Sequence, residues 1–438
     1  MTRKIDSVAV LGGGTMGSGI VGTCAQMGCR VLLLDVDMPT AEKALDRILN
    51  GRPPALDDPD KAHLITLGTL SDDLDKIADY DWICEAIVED VETKRDLFRH
   101  VEPLRKPGSV ISTNTSGIPL KDICEGMPDS LRRDIAVTHF FNPVKVMRLM
   151  ELIPGADTTP DVIEAFQDFL GTRMGKGVVN AKDTVNFIGN RIGCFWMLSG
   201  LHIALDAMEK GVSQETIDVL MSKPMGLPPT GLFGLIDLIG LDVMYLVGRN
   251  LDANLPADDA GRAYTSFPPV VQRMYESGQL GRKTGGGFYR MKKDADGNRT
   301  REVYDLGAED WRPDHPVELE DWMRDASTLM FTESPEGRFA WDLMGGTLLY
   351  AADLVPQISD DVVNIDRAMR WGFAWQKGPF EFLDSLQPAR LVKGLESMGK
   401  PLPAMLQVLK DAGAESFYRK DGAEYLGRDG QWHATPPE

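Results

Sequence analysis

The sequence predicts an α/β N-terminal domain with a doubly wound sheet, followed by two mainly α-helical domains. Two observations predict this order. Roughly the first 180 residues alternate short apolar runs with stretches of helical periodicity, which is typical of parallel strands joined by helices. Beyond Asp183, helical periodicity dominates, and one helical pattern occurs twice.

In the N-terminal part, each predicted strand is a continuous apolar run. Residues 8–11 form the first run, and the glycines after it open a helix whose apolar residues recur at helical spacing up to Gly28. Because unbroken apolar runs are typical of strands buried on both faces, a parallel sheet covered by helices on both sides is expected. Further strands are predicted at residues 31–34, 82–88, 110–112, 135–138 and 149–153.

The C-terminal part is predicted to be mainly helical. Helices are expected at residues 192–210 and 213–221, and again over about 320–425. Strands are expected at 287–291 and 301–304, on either side of Asp296-Gly297-Asn298, which predicts a β-hairpin between the helical segments. The expected domains are the Rossmann-like α/β domain at 1–182, a first helical domain at 183–292, a hairpin linker at 293–319 and a second helical domain at 320–438.

The repeated pattern lies in these two helical segments. Ile217-Asp218 is followed by a segment that ends in Leu235-Ile236-Asp237, and Ile365-Asp366 by one that ends in Phe382-Leu383-Asp384. The first and last aspartates are 19 residues apart in one copy and 18 in the other. This spacing predicts a duplicated helical domain. The alternative is a coincidence between two amphipathic helix-turn-helix segments.

Composition and charge exclude several classes of protein. Of the 438 residues, 43% are hydrophobic and 26% are charged, which excludes a disordered, fibrous or collagen-like chain. The 47 basic and 66 acidic residues leave a formal net charge of −19, which argues against nucleic acid as a partner.

The sequence also predicts the compartment. The five cysteines include no C-x-x-C pair, which is typical of reduced thiols in the cytosol. The N-terminus begins basic and turns apolar like a secretory signal, but Asp6 and the glycines that follow favour a strand and a turn. No run of about 18 apolar residues is present, so no membrane insertion is expected. We expect a cytoplasmic protein without a metal site.

A glycine-rich loop after the first strand predicts a dinucleotide site. The loop fits the pattern G-x-G-x-x-G, and the next strand ends at Asp35, 18 residues beyond Gly17. Gly12 would permit the tight turn, Gly14 the approach of a pyrophosphate, and Gly17 close contact between helix and strand. A carboxylate at position 35 accepts hydrogen bonds from both ribose hydroxyls and repels a 2′-phosphate, which favours NAD over NADP. The alternative is an exposed aspartate with a flavin or no ligand. The cofactor-binding residues predicted here are Gly12, Gly14, Thr15, Met16, Gly17 and Asp35.

Two ionisable residues lie in neighbouring apolar segments. His139 follows the run at 135–138, and Glu151 is the one ionisable residue in the run at 149–153. Because burying an unpaired carboxylate costs on the order of several kcal/mol, Glu151 needs a partner, and His139 lies 12 residues before it. The carboxylate would orient the imidazole and stabilise the imidazolium formed when the histidine acts as a general base. The alternative is a core histidine with satisfied hydrogen bonds.

Polar residues also stand where two helices are expected to start. Asn114-Thr115-Ser116 follows the strand at 110–112, at the sheet edge where open α/β proteins bind ligands. Asn190 and Arg191 interrupt an apolar stretch that begins at Phe187. Helix caps or surface positions are the alternatives for both segments.

Together these motifs resemble the L-3-hydroxyacyl-CoA dehydrogenase family. The resemblance covers about residues 5–290 in family order, and the segment from His139 to Glu151 is its most specific part. The tail is similar to the second C-terminal domain of multifunctional fatty-acid oxidation proteins. The matching pieces are residues 12–17, the strand ending at Asp35, Glu85-Ala86-Ile87-Val88-Glu89 with Lys94, Asn114-Thr115-Ser116, His139-Phe140-Phe141-Asn142-Pro143 with Glu151, residues 183–191 and residues 281–289.

The resemblance implies NAD-dependent oxidation of an L-3-hydroxyacyl-CoA to the 3-ketoacyl-CoA, in fatty-acid β-oxidation or related acyl-CoA metabolism. In that reaction His139 would be the general base and Glu151 its partner. Ser116 and Asn190 would hold the substrate's oxygens. The further residues that the resemblance places against the cofactor are Glu89, Lys94, Asn142 and Lys283.

The sequence departs from the family pattern in two places. Asp183-Thr184-Val185-Asn186-Phe187 replaces the usual Asp-Thr-Pro-Gly-Phe, so the turn before Asn190 must tolerate side chains. Residues 51–59 replace part of a helical arm that helps to hold coenzyme A in many relatives, so coenzyme A contacts are not carried over. No hydratase segment is evident, and hydratase activity is not expected of this chain.

The sequence leaves two other functions open. One is a dehydrogenase of a hydroxy acid or sugar acid without coenzyme A, and the other is a catalytically quiet NAD-binding scaffold subunit. His139, Glu151 and Asp35 argue against the scaffold, since it needs no buried base beside a nucleotide loop. An association with a hydratase or a thiolase is also left open. Because single-copy relatives dimerise through the helical domain, the second copy is expected to cover that surface and leave a monomer.

Overall fold

The computed structural model describes residues 3–293 and 299–438, which form two compact units. The first unit comprises the chain through Ile188 together with Gln357–Ser359 and Glu438. The second comprises Gly189–Pro356 and Asp360–Pro437. The expected end of the first domain at residue 182 lies just before this boundary. Both expected helical domains lie in the second unit except for residues 183–188, 357–359 and 438.

The first unit is built on an eight-stranded sheet. Its strands are β1 (Ser7–Leu11), β2 (Arg30–Asp35), β3 (Ile65–Thr69), β4 (Trp82–Glu85), β5 (Val110–Thr113), β6 (Ile135–Phe140), β7 (Leu149–Pro154) and β8 (Gly177–Asn180). They are ordered β3-β2-β1-β4-β5-β6-β7-β8, and neighbours are parallel except β6 and β7. The strand order changes direction at β1, as in Rossmann-type sheets, which confirms the predicted α/β domain.

Helices cover this sheet, and two of them begin at an aspartate cap. The helices are α1 (Thr15–Gln26), α2 (Met38–Asn50), α3 (Val91–Val101), α4 (Leu120–Ile123), α5 (Asp129–Asp134) and α6 (Pro160–Phe166). The carboxylate of Asp37 accepts the N–H of Thr40 at 2.8 Å and so caps α2. Below them, the indole of Trp82 packs edge-on against Phe166 and Phe169, with ring centroids 5.7 and 5.5 Å apart.

Periodicity did not predict β3 or β8. Both strands lie at the edges of the sheet and are only five and four residues long. Each contains a glycine and leaves some residues partly exposed, so neither forms an unbroken apolar run. The run at 82–88 is also shorter as a strand, because β4 ends at Glu85.

The one antiparallel pair in the sheet positions two predicted site residues. Only residues 141–148 connect β6 to β7, and a parallel crossover needs about a dozen residues or more, so the chain turns back on itself. In the resulting register His139 lies directly opposite Glu151.

The second unit consists of helices and two small sheets. The helices are α7 (Gly189–Glu209), α8 (Gln214–Leu220), α9 (Gly231–Ile239), α10 (Leu241–Asn254), α11 (Pro269–Glu276), α12 (Ala326–Phe331), α13 (Pro335–Ala340), α14 (Gly346–Asp353), α15 (Val362–Gly372), α16 (Pro379–Ser385), α17 (Pro388–Ser397) and α18 (Ala404–Asp411). The strands are β9 (Tyr289–Lys293), β10 (Arg299–Asp305), β11 (Asp310–Pro313), β12 (Tyr418–Arg419), β13 (Glu424–Leu426) and β14 (Trp432–Ala434).

These strands confirm one expectation and correct another. β9 and β10 pair antiparallel, as the predicted hairpin requires, while its predicted turn at Asp296-Gly297-Asn298 lies outside the described residues. The prediction of helix up to residue 425 was wrong at its end, because β12 and β13 begin at Tyr418 and Glu424. Strands of two and three residues are too short to show an alternating pattern.

The repeated motif makes the same backbone contacts in both places. The carboxylate of Asp218 accepts the backbone N–H groups of residues 233 and 234 at 2.7 and 3.1 Å. Asp366 accepts those of residues 380 and 381 at 2.8 and 3.2 Å. In both places an aspartate on one helix thus caps the first turn of the next helix.

The last aspartate of each motif also makes equivalent contacts. Asp237 accepts the backbone N–H groups of Phe288 and Tyr289, both at 2.8 Å. Asp384 accepts those of Phe417 and Tyr418 at 2.6 and 2.9 Å. Each Phe-Tyr pair leads into one of the small sheets, so the contacts recur in the same order along the chain.

Within residues 3–293 and 299–438, no single helix has the length and hydropathy of a membrane-spanning segment. Helices α9 and α10 reach that length and hydropathy only when they are taken together, and the chain bends by 92° between them.

Candidate active site

The glycine loop turns tightly between β1 and α1. Gly12 has a φ of +103°, and a Cβ there would lie 2.6 Å from the carbonyl oxygen of Ala86. A Cβ on Gly17 would lie 1.8 Å from the carbonyl oxygen of Gly12. Both positions therefore require glycine, one for its backbone conformation and the other for close approach.

The start of α1 has the properties of a dinucleotide phosphate site. A Cβ on Gly14 would meet nothing within 4 Å, so the space beside this residue is open to a ligand. No side chain among the described residues caps the helix at Gly14, which leaves backbone N–H groups and the positive end of the helix dipole for an anion. Thr15 is exposed and Met16 half-buried in the first turn.

Asp35 stands at the carboxyl end of β2 beside this loop. Its Oδ2 accepts the N–H of Gly13 at 2.6 Å, and its Oδ1 accepts the N–H of Val36 at 2.7 Å. The carboxylate is 8% exposed. It is thus held in one orientation at the sheet edge, as a ribose-binding carboxylate requires, so the loop, the helix start and Asp35 together fit NAD.

His139 and Glu151 form a buried pair across β6 and β7. The Nδ1 of His139 lies 2.6 Å from Oε2 of Glu151, and the two side chains are 3% and 0% exposed. The Oε1 of Glu151 accepts the N–H of Ile188 at 3.0 Å. Because a carboxylate only accepts, Nδ1 carries the proton in this pair and Nε2 is left as the basic nitrogen.

Aromatic rings surround this imidazole. The ring centroids of Phe141 and Phe187 lie 4.6 and 5.6 Å from that of His139. Asn186 and Phe187 both have left-handed backbones, with φ values of 60° and 50°. Asn186 occupies the position of the usual family glycine, and asparagine tolerates this conformation better than most residues, which explains how the altered turn is accommodated.

A buried ion pair lies at the neighbouring strand end. Nζ of Lys94 donates to Oε1 of Glu85 at 2.7 Å, and these side chains are 1% and 0% exposed. Glu85 also accepts the hydroxyl of Thr113 at 2.5 Å and the N–H of Ile87 at 2.8 Å. The charge on Glu85 is thus compensated by one cation and two neutral donors.

The same lysine connects this pair to the loop that carries Ser116. Nζ of Lys94 lies 3.2 Å from Oε2 of Glu89. Oε1 of Glu89 accepts the hydroxyl of Thr115 at 2.6 Å and the N–H groups of Ser116 and Gly117 at 2.8 and 3.1 Å. Although desolvation acts to raise the pKa of Glu89, Lys94 and these donors hold that pKa below its usual value. Ser116 itself is exposed.

Two residues of this edge were not predicted as site residues. Glu85 is the one ionisable residue in an apolar run, which is the same signal that identified Glu151. The amide oxygen of Asn114 accepts the N–H of Phe140 at 3.0 Å and ties the end of β5 to that of β6. The sequence shows Asn114 after a strand, but not which neighbouring strand it would contact.

Four other residues that the sequence analysis predicted or considered lie elsewhere. Asn142 is exposed just after β6 in the first unit. In the second unit, Asn190 is half-buried in the first turn of α7, and Lys283 lies 2.5 Å from a carboxylate oxygen of Asp242. Arg191, which the sequence left open as a cap or functional residue, is buried and donates to the hydroxyl of Tyr350 at 2.7 Å.

A glycine loop that fits NAD and a histidine–carboxylate pair on the same sheet define the class of NAD-binding dehydrogenases. Residues 7–184 match the family model described as 3-hydroxyacyl-CoA dehydrogenase, NAD binding domain. Residues 187–291 match 3-hydroxyacyl-CoA dehydrogenase, C-terminal domain. The chain therefore belongs to the 3-hydroxyacyl-CoA dehydrogenase family, and NAD is the cofactor of its N-terminal domain.

Individual relatives agree with this family. A probable 3-hydroxyacyl-CoA dehydrogenase of Bacillus subtilis is 34% identical over 99% of this chain and 58% of its own length. A putative fatty acid oxidation complex trifunctional enzyme of Rickettsia felis is 36% identical over 93% of this chain and 57% of its own length. The chain thus spans little more than half of these longer relatives.

Solved structures show the same fold. The 3-hydroxybutyryl-CoA dehydrogenase of Escherichia coli superposes with a TM-score of 0.69 over 92% of this chain and 98% of that chain, at 23% identity. The (S)-3-hydroxybutyryl-CoA dehydrogenase of Ralstonia eutropha gives a TM-score of 0.56 over 65% of this chain and 98% of that chain, at 29% identity.

Proposed function

We propose that this chain catalyses the NAD-dependent oxidation of an L-3-hydroxyacyl-CoA to the 3-ketoacyl-CoA. The observation that carries the proposal is the cross-strand pair of His139 and Glu151, which presents one basic imidazole nitrogen next to the edge of a nucleotide-binding sheet. The longer relatives described as dehydrogenases and fatty-acid oxidation enzymes support this substrate class.

The pair acts as a general base of fixed orientation. With Nδ1–H donated to Glu151, Nε2 of His139 accepts the proton of the substrate hydroxyl. The carboxylate then stabilises the imidazolium, and in this buried setting the attraction is stronger than in water. NAD, when bound, supplies the acceptor for the hydride that leaves the carbon bearing this hydroxyl. In the reverse direction His139 returns the proton to the carbonyl oxygen.

The remaining roles rest on the resemblance and on the contacts around each residue. Ser116 and Asn190 hold the substrate's oxygens, and the three hydrogen bonds to Glu89 fix the loop that carries Ser116. Asp35 binds the ribose and selects NAD. The residues that contact the cofactor are Gly12, Gly14, Thr15, Met16, Gly17, Glu89, Lys94, Asn142 and Lys283.

Turnover of acetoacetyl-CoA with NADH tests this proposal. Purified protein should consume NADH, seen as loss of absorbance at the nicotinamide band. In the His139→Ala variant the rate of NADH consumption should fall about 10²–10⁴-fold while NADH still binds, because only proton transfer is removed. Undiminished turnover in that variant would remove the assignment of the base.

The other two functions make different predictions in the same assay. A dehydrogenase of free hydroxy acids would reduce acetoacetate with NADH and leave acetoacetyl-CoA untouched. A scaffold subunit would bind NADH and turn over neither. The altered arm at residues 51–59 favours the first of these over the second, because it changes a segment linked to coenzyme A and leaves the His139–Glu151 pair in place.

We also propose that the second unit contains two copies of one helical domain, at about 183–292 and 320–438. Two pairs of equivalent aspartates support the duplication. Asp218 and Asp366 accept backbone hydrogen bonds at corresponding positions, and so do Asp237 and Asp384. In this proposal the second copy covers the dimerisation surface of single-copy relatives, so the protein is a monomer. Light scattering that reports an obligate dimer through that surface would contradict it.

The wider setting of the enzyme follows from the same proposals. Five free cysteines support a cytoplasmic location. Association with a hydratase or a thiolase is supported by the relative described as a trifunctional enzyme. Co-migration of the purified chain with either activity in gel filtration would test that association.

A further inference from the structure

A large groove lies in the second unit, and none of the predicted site residues lines it. Its volume is about 1320 Å³, somewhat above the range of roughly 300–1,000 Å³ that is usual for small-molecule pockets. The walls come from the end of α7, from α12 to α14 and from α17 with the turn after it. We call this cavity the basic groove.

The floor of the basic groove is apolar and partly open to water. The rings of Phe331 and Trp341 lie 5.6 Å apart, and Phe331 is 48% exposed. Met398 on the other wall is 59% exposed, beside the buried Leu391 and Leu395. Exposed aromatic and methionine side chains around a concavity are typical of a surface that binds an apolar ligand, since methionine adapts its shape to the partner.

The rim carries five cations against two carboxylates. All five cations are exposed, and none of them has an ion-pair partner among residues 3–293 and 299–438. This excess of positive charge occurs in a chain whose formal net charge is −19. The rim therefore attracts anions locally although the protein as a whole repels them. The cations are Lys210, Arg338, Arg390, Lys393 and Lys400, and the carboxylates are Glu333 and Asp342.

Three of the rim cations lie near enough to Asp342 to affect its carboxyl. Desolvation raises the pKa of this group and Asp206 adds to the rise, while Arg338, Lys210 and Lys400 act to lower it. The three cations come from different segments of the chain. With the other two rim cations, they outnumber the two carboxylates that line the groove.

We propose that the basic groove binds a long-chain acyl-CoA at a site separate from the proposed catalytic residues. The acyl chain lies against the floor formed by Phe331, Trp341 and Met398, and the phosphates of coenzyme A lie against the rim cations. An apolar chain joined to a multiply charged anion is the ligand chemistry that combines these two surfaces, and the large volume suits an elongated molecule. Binding here does not depend on turnover at His139.

Photo-cross-linking tests this site directly. A palmitoyl-CoA analogue with a diazirine on the acyl chain is irradiated with the full-length protein, and the labelled peptides are mapped by mass spectrometry. We expect labels on peptides that contain Phe331, Trp341 or Met398, and we expect excess palmitoyl-CoA to compete them away. Labels confined to the first unit would overturn the proposal.

Charge-reversal variants then test the rim. Lys393→Glu with Lys400→Glu should lower the labelling and the affinity for palmitoyl-CoA roughly tenfold or more, since two phosphate-facing cations become anions. Lys223→Glu with Lys377→Glu is the matched control, because both lysines are exposed, lie in the same unit and do not line the groove. An equal loss in the control would mean attraction by overall charge and would overturn the site.

Competition by each half of the ligand separates the contribution of the apolar floor from that of the rim cations. Palmitate alone and coenzyme A alone should each compete at least tenfold more weakly than palmitoyl-CoA, because each fills one surface. Full competition by palmitate would show that the cations play no part, and would overturn the proposal. Turnover of acetoacetyl-CoA should stay within twofold in the groove variants, so loss of labelling is distinguishable from failure of the proposed function.

Discussion

The buried pair of Glu85 and Lys94 gives a prediction whose size follows from the structure. Both side chains are almost completely buried, and their charged atoms are 2.7 Å apart. Removing one partner of a buried pair costs about 3–5 kcal/mol, because the remaining charge is left uncompensated. Lys94→Met leaves Glu85 with the donors Thr113 and Ile87, so we expect a loss near the lower end, about 3 kcal/mol.

Removing both charges should largely restore the free energy of unfolding. In the double variant Glu85→Gln, Lys94→Met, a neutral amide keeps the size of Glu85 and no charge is left buried. We expect this variant to lie within about 1 kcal/mol of the wild type, since neutral replacements of buried pairs are often nearly neutral in stability. Urea unfolding of both variants measures the difference.

Cofactor binding should respond differently from stability. The double variant still lacks the cation at Glu89, whose carboxylate holds the Ser116 loop. We therefore expect the NADH dissociation constant, measured by nicotinamide fluorescence, to rise roughly tenfold although the fold is restored. Equal losses of stability in the single and double variants would refute the pairing, and unchanged NADH binding would refute the connection to Glu89.

Four further predictions concern single residues. Asn186→Gly should be more stable than Asn186→Ala by about 1 kcal/mol in urea unfolding, because both lose the side chain but only glycine adopts a φ of 60° without strain. Glu151→Gln should lower kcat about 10²–10⁴-fold and shift the pH profile of kcat, while the NADH affinity is kept. A wild-type pH profile would mean that the pair is not formed. Asp35→Ala should raise the NADP-to-NAD ratio of kcat/KM roughly tenfold, whereas Asp37→Ala, which removes a helix cap, should not. Desolvation raises the pKa of Asp384 from 3.8 to about 6, so the folded state binds more protons and its stability falls as the pH rises through this range; Asp384→Asn should flatten that fall in the urea midpoint.

The parts of the fold that could be predicted are those with a strong local signal. The runs that became β1, β2 and β5 are buried along their whole length, so each appears as continuous apolar sequence. The edge strand β3 and the two-residue strand β12 have no such signal, because edge strands are partly exposed and very short strands show no period. The same limit explains the wrong extension of helix to residue 425.

The parts of the site that could be predicted are those where chemistry and position coincide in one segment. The loop at 12–17 and the solitary carboxylate Glu151 both stand out from their surroundings. Glu85 carries the same signal as Glu151, but its partner Lys94 lies on a helix nine residues later, among many basic residues. The basic groove could not be predicted, since its cations come from segments that are almost 200 residues apart in sequence.

The sequence by itself determined the alternation of core strands with helices in the N-terminal part, the glycine turn, and a histidine with an acid nearby in apolar segments, because each depends on neighbours within about 20 residues. Only the tertiary structure decided that His139 and Glu151 are opposite each other in one antiparallel register, that Lys94 neutralises Glu85, and that Asn114 joins two strand ends. These contacts depend on which strands are adjacent and in what register, and pairing between segments distant along the chain leaves no periodic trace in either of them.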